Sequence, residues 1–319
     1  MSKLYQEIKE FVLDNIQTIE DKMSMYWSEE LKDFNYIYNF DSERIFEQIR
    51  RHCYHLTGEL AYQYKDHHKN SKNKRLIEIY EKLRSIDLNS SVFVGEKKNF
   101  LGSFGLNLDN LEDDLVNIDI LKYYESNIFL KNNTNFYEDI NKFDRVIDIG
   151  GGWGGYLYTI KRLSKDTKIS IIDLPYVLPF STYYLINYFQ TDYSLGKIND
   201  SALSFFSYLD YPENIFKNSA LVNTSSFQEM TRSSIKEYIK KFIKNDGRSF
   251  YSFNKEFNTN NIELGNLKNL FLNCFKNTEY QIIIADRKIQ SQSKIKKILL
   301  RNFKNKNIDY FHFYAYQKK

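Results

Sequence analysis

The stretch Asp148-Ile149-Gly150-Gly151-Gly152-Trp153-Gly154 sets glycines at alternate positions behind an acid. Glycine accepts backbone angles that other residues resist, and it lets a ligand approach the main chain closely. An apolar run, Arg145 to Ile149, leads into these glycines, and a helical pattern, Gly155 to Leu163, leads out. Free amides at the start of such a helix favour a carboxylate or a phosphate. The same glycines satisfy the dinucleotide fingerprint through Gly150, Gly152 and Gly155, so their spacing alone leaves the cofactor open. Asp148 narrows the choice, because an acid at that place repels a pyrophosphate and suits a cationic amino-acid moiety. Asp173 ends the next apolar run and can accept hydrogen bonds from ribose hydroxyls, a role that serves either cofactor. It can equally cap a helix before Leu174-Pro175. A nicotinamide enzyme and a purely structural turn both stay open on these residues.

A second stretch, Leu221-Val222-Asn223-Thr224-Ser225-Ser226-Phe227-Gln228-Glu229-Met230, turns abruptly from apolar to polar. Read as the end of the fourth strand beside the glycine loop, it turns its polar groups toward the bound ligand. Glu229 is the first candidate for a general base, although an acid at a helix start also suits the helix dipole. Asn223 and Gln228 can orient an acceptor or satisfy backbone groups.

The pattern acid-x-Gly-x-Gly-x-Gly after a strand, with Asp173 ending the next, resembles the signature of class I methyltransferases. That resemblance implies S-adenosylmethionine as cofactor, held by Asp148, Gly150, Gly151, Gly152, Trp153, Gly154, Asp173, Leu174 and Asn223. Trp153 would cover the cofactor or pack under the loop. The stretch from Leu221 to Met230 is similar to the family of sugar O-methyltransferases encoded with bacterial surface-polysaccharide genes. Ser24-Met25-Tyr26-Trp27 is a weaker point of similarity. The likeness covers Asp144 to Asn254 and implies a carbohydrate hydroxyl as acceptor, free or linked to a nucleotide or lipid, with Glu229, Asn223 and Gln228 as catalytic candidates. Two features depart from the family: Ser219 stands where an acid often opens the fourth strand, and Gln190 to Phe206 carries no clear adenine-contacting motif. Methyl transfer to oxygen is an in-line displacement, and holding the reactants in line contributes up to ~7–11 kcal/mol. A sugar hydroxyl is a weak acid, so a base should add a factor of ~10²–10⁴.

These residues need a scaffold, and strand and helix patterns alternate after Phe143. Strands are expected at 145–149, 168–174, 220–223, 248–253, 280–285 and 310–316, and helices at 155–163 and 177–189. Ser234-x-x-Glu237 reads as a capping box opening a helix to about Lys244, with Gly247 at its end. The stretch before Ala220 stays undetermined. This is an α/β pattern, a Rossmann-like, mostly parallel sheet with an antiparallel last strand. Residues 1–140 read as mainly helical, with apolar spacing from Leu4 to Ile19 and near Glu43–Lys65, Asn73–Ile86 and Leu111–Leu130. Ser91 to Leu108, with three glycines, reads as a loop or hairpin. The expected division is a helical region, 1–140, that shapes the acceptor pocket or an oligomer contact, and a cofactor-binding domain, 141–319. Tyr251 and Asn254, ending the fifth strand, are expected to line the acceptor pocket. Ser293 to Lys306 forms a basic amphipathic pattern that reads as a solvated helix rather than a membrane contact.

The chain has 319 residues and a net charge of +4, too little to argue for nucleic acid. Residues 1–140 carry 18 basic and 25 acidic side chains, and residues 141–319 carry 27 and 16. Cys53 and Cys274 build neither a disulfide framework nor a zinc site. The histidines, His52, His55, His67, His68 and His312, show no metal spacing; His52 and His55 stand one turn apart, and His312 reads as a satisfied sheet residue. No apolar stretch reaches the ~20 residues of a membrane span. The expectation is a cytoplasmic protein with a small-molecule or glycan acceptor, no nucleic acid, no stable membrane insertion, and a homodimer left open. A phenol or metabolite methyltransferase and an inactive Rossmann-like scaffold remain as alternatives.

Overall fold

The computed structural model describes residues 2–16, 27, 44–64, 71–287 and 310–317. Ser24 to Tyr26, His67, His68 and the basic stretch 293–306 lie outside these residues. A short antiparallel ribbon, β1 (Glu96–Lys97) with β2 (Asp114–Leu115), precedes the main sheet. That sheet holds β3 (Val146–Ile149), β4 (Ile169–Asp173), β5 (Tyr193–Leu195), β6 (Leu203–Ser207), β7 (Ala220–Thr224), β8 (Ser249–Lys255), β9 (Tyr280–Asp286) and β10 (Tyr310–Gln317). The spatial order is β5-β6-β4-β3-β7-β8-β10-β9. Neighbours from β5 to β8 are parallel. Only β10 runs against its neighbours, β8 and β9.

β3, β4 and β6 are buried at every position, as expected of parallel strands covered on both faces. Side chains alternate between two cores. Val146, Ile171, Phe205, Val222 and Tyr251 face one; Ile147, Ile149, Ile172, Phe206, Leu221 and Phe250 face the other. Helices Gly155–Leu163 and Leu178–Phe189 cover the first face, and Arg232–Lys244 and Leu267–Phe275 the second. The N-terminal residues Tyr5, Ile8, Val12, Phe46 and Ile120 belong to the first core too, so 1–140 shares a core with the sheet. Helices Ser71–Ile86 and Ile118–Asn133 form a smaller cluster of their own around Leu76, Tyr80, Leu121 and Tyr124.

Three local expectations need correction. The stretch before Ala220 holds two strands, β5 and β6, each of five residues or fewer. The helix expected at Ser234 starts at Arg232, and its cap is Thr231, whose side chain accepts from the Ser234 amide. Glu43–Lys65 is not one helix: Arg44–Glu47, Ile49–Cys53, Tyr54–Thr57 and Ala61–Tyr64 are separate turns, and Gly58 breaks the run in the left-handed region at φ 70°. No described helix is long and apolar enough to cross a membrane.

Strand order fixes where a ligand can sit. From β3 the chain moves to β4 and β6 on one side, then crosses to β7 and β8 on the other. The carboxyl ends of β3 and β7 flank that reversal, and open α/β sheets bind ligands there.

Candidate functional site

The glycine loop leaves β3 at this edge. Gly150 and Gly152 adopt φ values of 69° and 59°, angles that cost most residues a steric penalty. A Cβ on Gly150 would overlap the Ser226 side chain, so the loop touches the end of β7. A Cβ on Gly152 would meet nothing within 4 Å, so this turn opens onto free space. Gly154 is the N-cap of Gly155–Leu163, which starts directly after this turn.

Two carboxyls lie beneath and beside the loop. Asp173 accepts from the Gly152 amide at 2.8 Å and the Leu174 amide at 2.7 Å. It ties the glycine turn to β4. It is not a helix cap, since the next helix starts at Leu178 behind Val177. Burial raises its pKa to about 7 against the pull of those two amides. Asp148 is 2 % exposed. Burial first, and the charge of Asp173 second, push its carboxyl well above the usual range. Its Oδ1 has no hydrogen-bond partner among the described residues. Asp148 lies under the loop and lines neither cavity, whereas direct contact with a ligand was expected of it.

A cleft of about 630 Å³ opens over the loop. Gly150, Gly151, Gly152 and Asp173 line one part; Thr224, Ser225, Gln228 and Glu229 line another. Tyr54, His55, Asp119 and Lys122 from the N-terminal region close a wall, with Lys255 and Tyr310 from β8 and β10. A narrower, mostly apolar slot adjoins it, bounded by Asp173, Leu174, Tyr208, Met230 and Tyr238. The sequence marked Leu174 for this place and missed Tyr208, which follows β6, a strand the sequence pattern left undetermined.

The polar stretch after β7 sorts differently from expectation. Asn223 is fully buried. Its Nδ2 donates to the Ile149 carbonyl at 2.5 Å and to Ser226 Oγ, and its Oδ1 accepts from the Phe227 amide and Asn254 Nδ2. It bolts β7 to the loop and lines neither cavity, so its side chain is not turned to the cleft as both expected roles require. Gln228 lines the cleft, yet its Oε1 accepts from the Lys255 amide at 2.9 Å, so its side chain holds β8. Glu229 stands half-buried on the cleft wall, as expected. Thr224 Oγ1 and Ser225 Oγ, also on that wall, have no hydrogen-bond partner among the described residues. Ser225 takes φ 64° without being glycine, the kind of strain that collects at functional sites.

Trp153 packs under the loop, 1 % exposed and with the Arg50 guanidinium 4.2 Å from its ring centroid, and it also borders the cleft. Arg50 is fully buried and pairs with Glu96 at 3.1 Å and Asp119 at 2.9 Å. Tyr251 and Asn254 are fully buried and line neither cavity, so they support the wall from behind. His312 is a sheet residue, as read: it stacks between Phe129 and Phe253 at 4.4 and 4.5 Å, and burial holds it neutral, at a pKa of about 3. Of the helical histidines, His55 reaches the cleft; burial pushes the pKa of His52 down. No group of three or more possible metal ligands occurs among the described residues.

Central β3 and β7, the crossover between them and the reversed β10 give the Rossmann-like sheet of class I methyltransferases. No family model and no curated protein matches the chain. Solved structures do. The methyltransferase domain of a bacterial Hen1 is 15 % identical, with 55 % of this chain covering 91 % of that one at TM-score 0.37. A Haemonchus contortus phosphoethanolamine N-methyltransferase, in complex with phosphomonomethylethanolamine and S-adenosylhomocysteine, is 12 % identical, with 56 % covering 50 % at TM-score 0.37. An O-methyltransferase family protein from Burkholderia thailandensis is 12 % identical, with 63 % covering 61 % at TM-score 0.36. The chain thus spans about half the length of the Haemonchus contortus enzyme it matches. Likeness at this level describes the course of a chain and not its chemistry.

Proposed function

We propose that this chain is an S-adenosylmethionine-dependent O-methyltransferase acting on a sugar hydroxyl in the synthesis of a surface polysaccharide. The observation that carries the donor is the pair of buried carboxyls, Asp148 and Asp173, at a glycine turn that faces open space. Neither has an ion-pair partner among the described residues, and both sit above their usual pKa. A cationic ligand relieves that cost, whereas a pyrophosphate adds to it. The site fits the donor: Gly152 leaves room for it, Asp173 offers acceptors for ribose hydroxyls, and the slot at Leu174, Tyr208 and Met230 suits a flat ring. When bound, S-adenosylmethionine supplies a methyl group on a sulfonium, open to in-line attack by the acceptor oxygen.

The chain's own part is to bind, orient and take a proton. Glu229 receives the hydroxyl proton of the acceptor, while Thr224 and Ser225 offer hydroxyls that steady the reacting oxygen. The N-terminal region, 1–140, shapes the acceptor pocket through Tyr54, His55, Asp119 and Lys122, and 141–319 holds the donor. A cleft with this many polar walls, broken by Tyr54 and Tyr310, suits a sugar ring better than an apolar phenol. Calorimetric titration with S-adenosylhomocysteine, run beside NADH, tests the donor. Stoichiometric binding of the first alone is expected. Binding of NADH alone overturns the reading, and binding of neither favours an inactive scaffold.

A further inference from the structure

Away from the glycine loop the cleft wall carries two lysines, Lys122 and Lys255, alongside Asp119 and Glu229. At β4 it presents the Asp173 carboxyl, with Asp148 buried beneath the loop. Across from it stand Lys255 at the end of β8 and Lys122 on helix Ile118–Asn133. Lys255 and Tyr310 are register partners on these strands, and the Lys255 ammonium lies 5.9 Å from the Tyr310 ring centroid. Among the described residues it faces that ring and forms no ion pair. Lys122, one turn into Ile118–Asn133, points into the same neighbourhood. Burial works against its charge, Asp119 holds it, and the charges of Tyr310, Glu59 and Glu229 reach it from further off. Among the described residues its ion-pair partner is Asp119, at 3.7 Å. That acid already answers Arg50 at 2.9 Å, so one carboxylate serves two cations. Arg50's other partner, Glu96, is pushed up to about 7 by burial and is only partly charged near neutrality.

We propose that the acceptor bears a phosphate ester, held by Lys122 and Lys255 against Tyr310. This rests on reading the glycine loop as the donor site. Strands lie ~4.8 Å apart, so the end of β8, two strands from β3, stands roughly 10 Å from the loop. That separation suits a sugar ring, with its reacting hydroxyl near Glu229 and its phosphate beyond. Lysine binds phosphate as a point charge, and a dianion answers two ammonium groups better than one carboxylate can. A sugar phosphate, a nucleotide-linked sugar and a lipid-linked one share this group.

The test uses the full chain, with Lys122→Met and Lys255→Met singly and together. Inorganic pyrophosphate is titrated first, because it needs no knowledge of the sugar. It should bind the wild type in the millimolar range or tighter, and each substitution should weaken it roughly tenfold, the size of one charge-assisted contact. S-adenosylhomocysteine affinity should stay the same in all variants. Glucose 1-phosphate, UDP-glucose, glucuronate and methyl glucoside then separate the sources. Tighter binding of UDP-glucose than of glucose 1-phosphate points to a nucleotide; glucuronate binding as well as glucose 1-phosphate overturns the phosphate in favour of a carboxylate. Absent pyrophosphate binding, or equal binding by the double variant, also overturns the proposal and leaves the donor reading intact. Failure of S-adenosylhomocysteine to bind the wild type sinks the donor reading by itself.

Discussion

At the scale of single residues, Asp173 and Glu229 have separable duties, so their substitutions should fail in different ways. Asp173 holds the Gly152 amide and, in the proposed function, gives its remaining lone pairs to the donor. Asp173→Ala removes both and should weaken S-adenosylhomocysteine binding by roughly tenfold or more, the value of one or two charge-assisted hydrogen bonds. Unchanged affinity by calorimetry would remove Asp173 from the site. Glu229 stands on the part of the cleft wall that follows β7. Glu229→Gln keeps its shape and hydrogen-bonding reach while removing the base. Turnover should fall by ~10²–10⁴ with S-adenosylhomocysteine affinity held. Near-normal turnover ends the assignment, and a matching loss of donor affinity would show that the residue shapes the loop instead.

Among the elements, the broken segment 44–64 and helix Ile118–Asn133 meet through one buried guanidinium. Arg50 on Ile49–Cys53 pairs with Asp119 in the first turn of the helix and with Glu96 on β1, and it lies under Trp153 of the glycine loop. Arg50→Met leaves two buried carboxyls without their cation, which should cost ~3–5 kcal/mol. Urea unfolding should show it as a lower midpoint with the same slope. A midpoint within error of the wild type would mean that the two acids take up protons and need no partner. None of this pairing is legible in the sequence, because the three residues are far apart in the chain and only the fold brings them together. What was legible had a local signal. Strands β3, β4, β7 and β8 are apolar-rich runs with polar flanks, and the helices between them follow helical spacing, so each fell within a residue or two of its place. β5 and β6 did not, since Leu203–Ser207 is short, with two serines among its five residues, and its partner is shorter still. At the site, the glycines and Asp173 were legible as a motif. Asn223 was misread because an amide at a strand end looks the same whether it meets a ligand or, as here, four groups of its own chain. Thr224 and Ser225 were passed over for the opposite reason: nothing in their type says that their hydroxyls lack partners.

For the whole molecule, the buried carboxyls make stability depend on pH in a direction that can be worked out. The Asp173 carboxyl has an ordinary value of 3.8 and a folded value of about 7. Between those values the folded chain keeps a proton that the unfolded chain has released. Stability then falls as pH rises from about 4 to about 7, and is flat above. Asp148, raised in the same direction by burial, adds a slope of the same sign. His312 pulls the other way. Its folded value of about 3 lies below its ordinary 6.5, so its contribution is complete above 6.5 and is lost as pH falls. Wild-type melting against pH therefore mixes opposing slopes over the same interval, and a flat curve would prove little. The difference between wild type and Asp173→Asn removes what they share. The variant cannot ionise, so its melting temperature should gain on the wild type steadily from about pH 4 to about pH 7 and then run parallel. Saturating S-adenosylhomocysteine, by hydrogen-bonding the charged carboxylate and bringing an ammonium group near it, should lower the folded pKa and flatten that gain. A gap that narrows with rising pH in the free protein would mean that Asp173 is held charged without a ligand. The reason for expecting a cation at the glycine loop would then be gone.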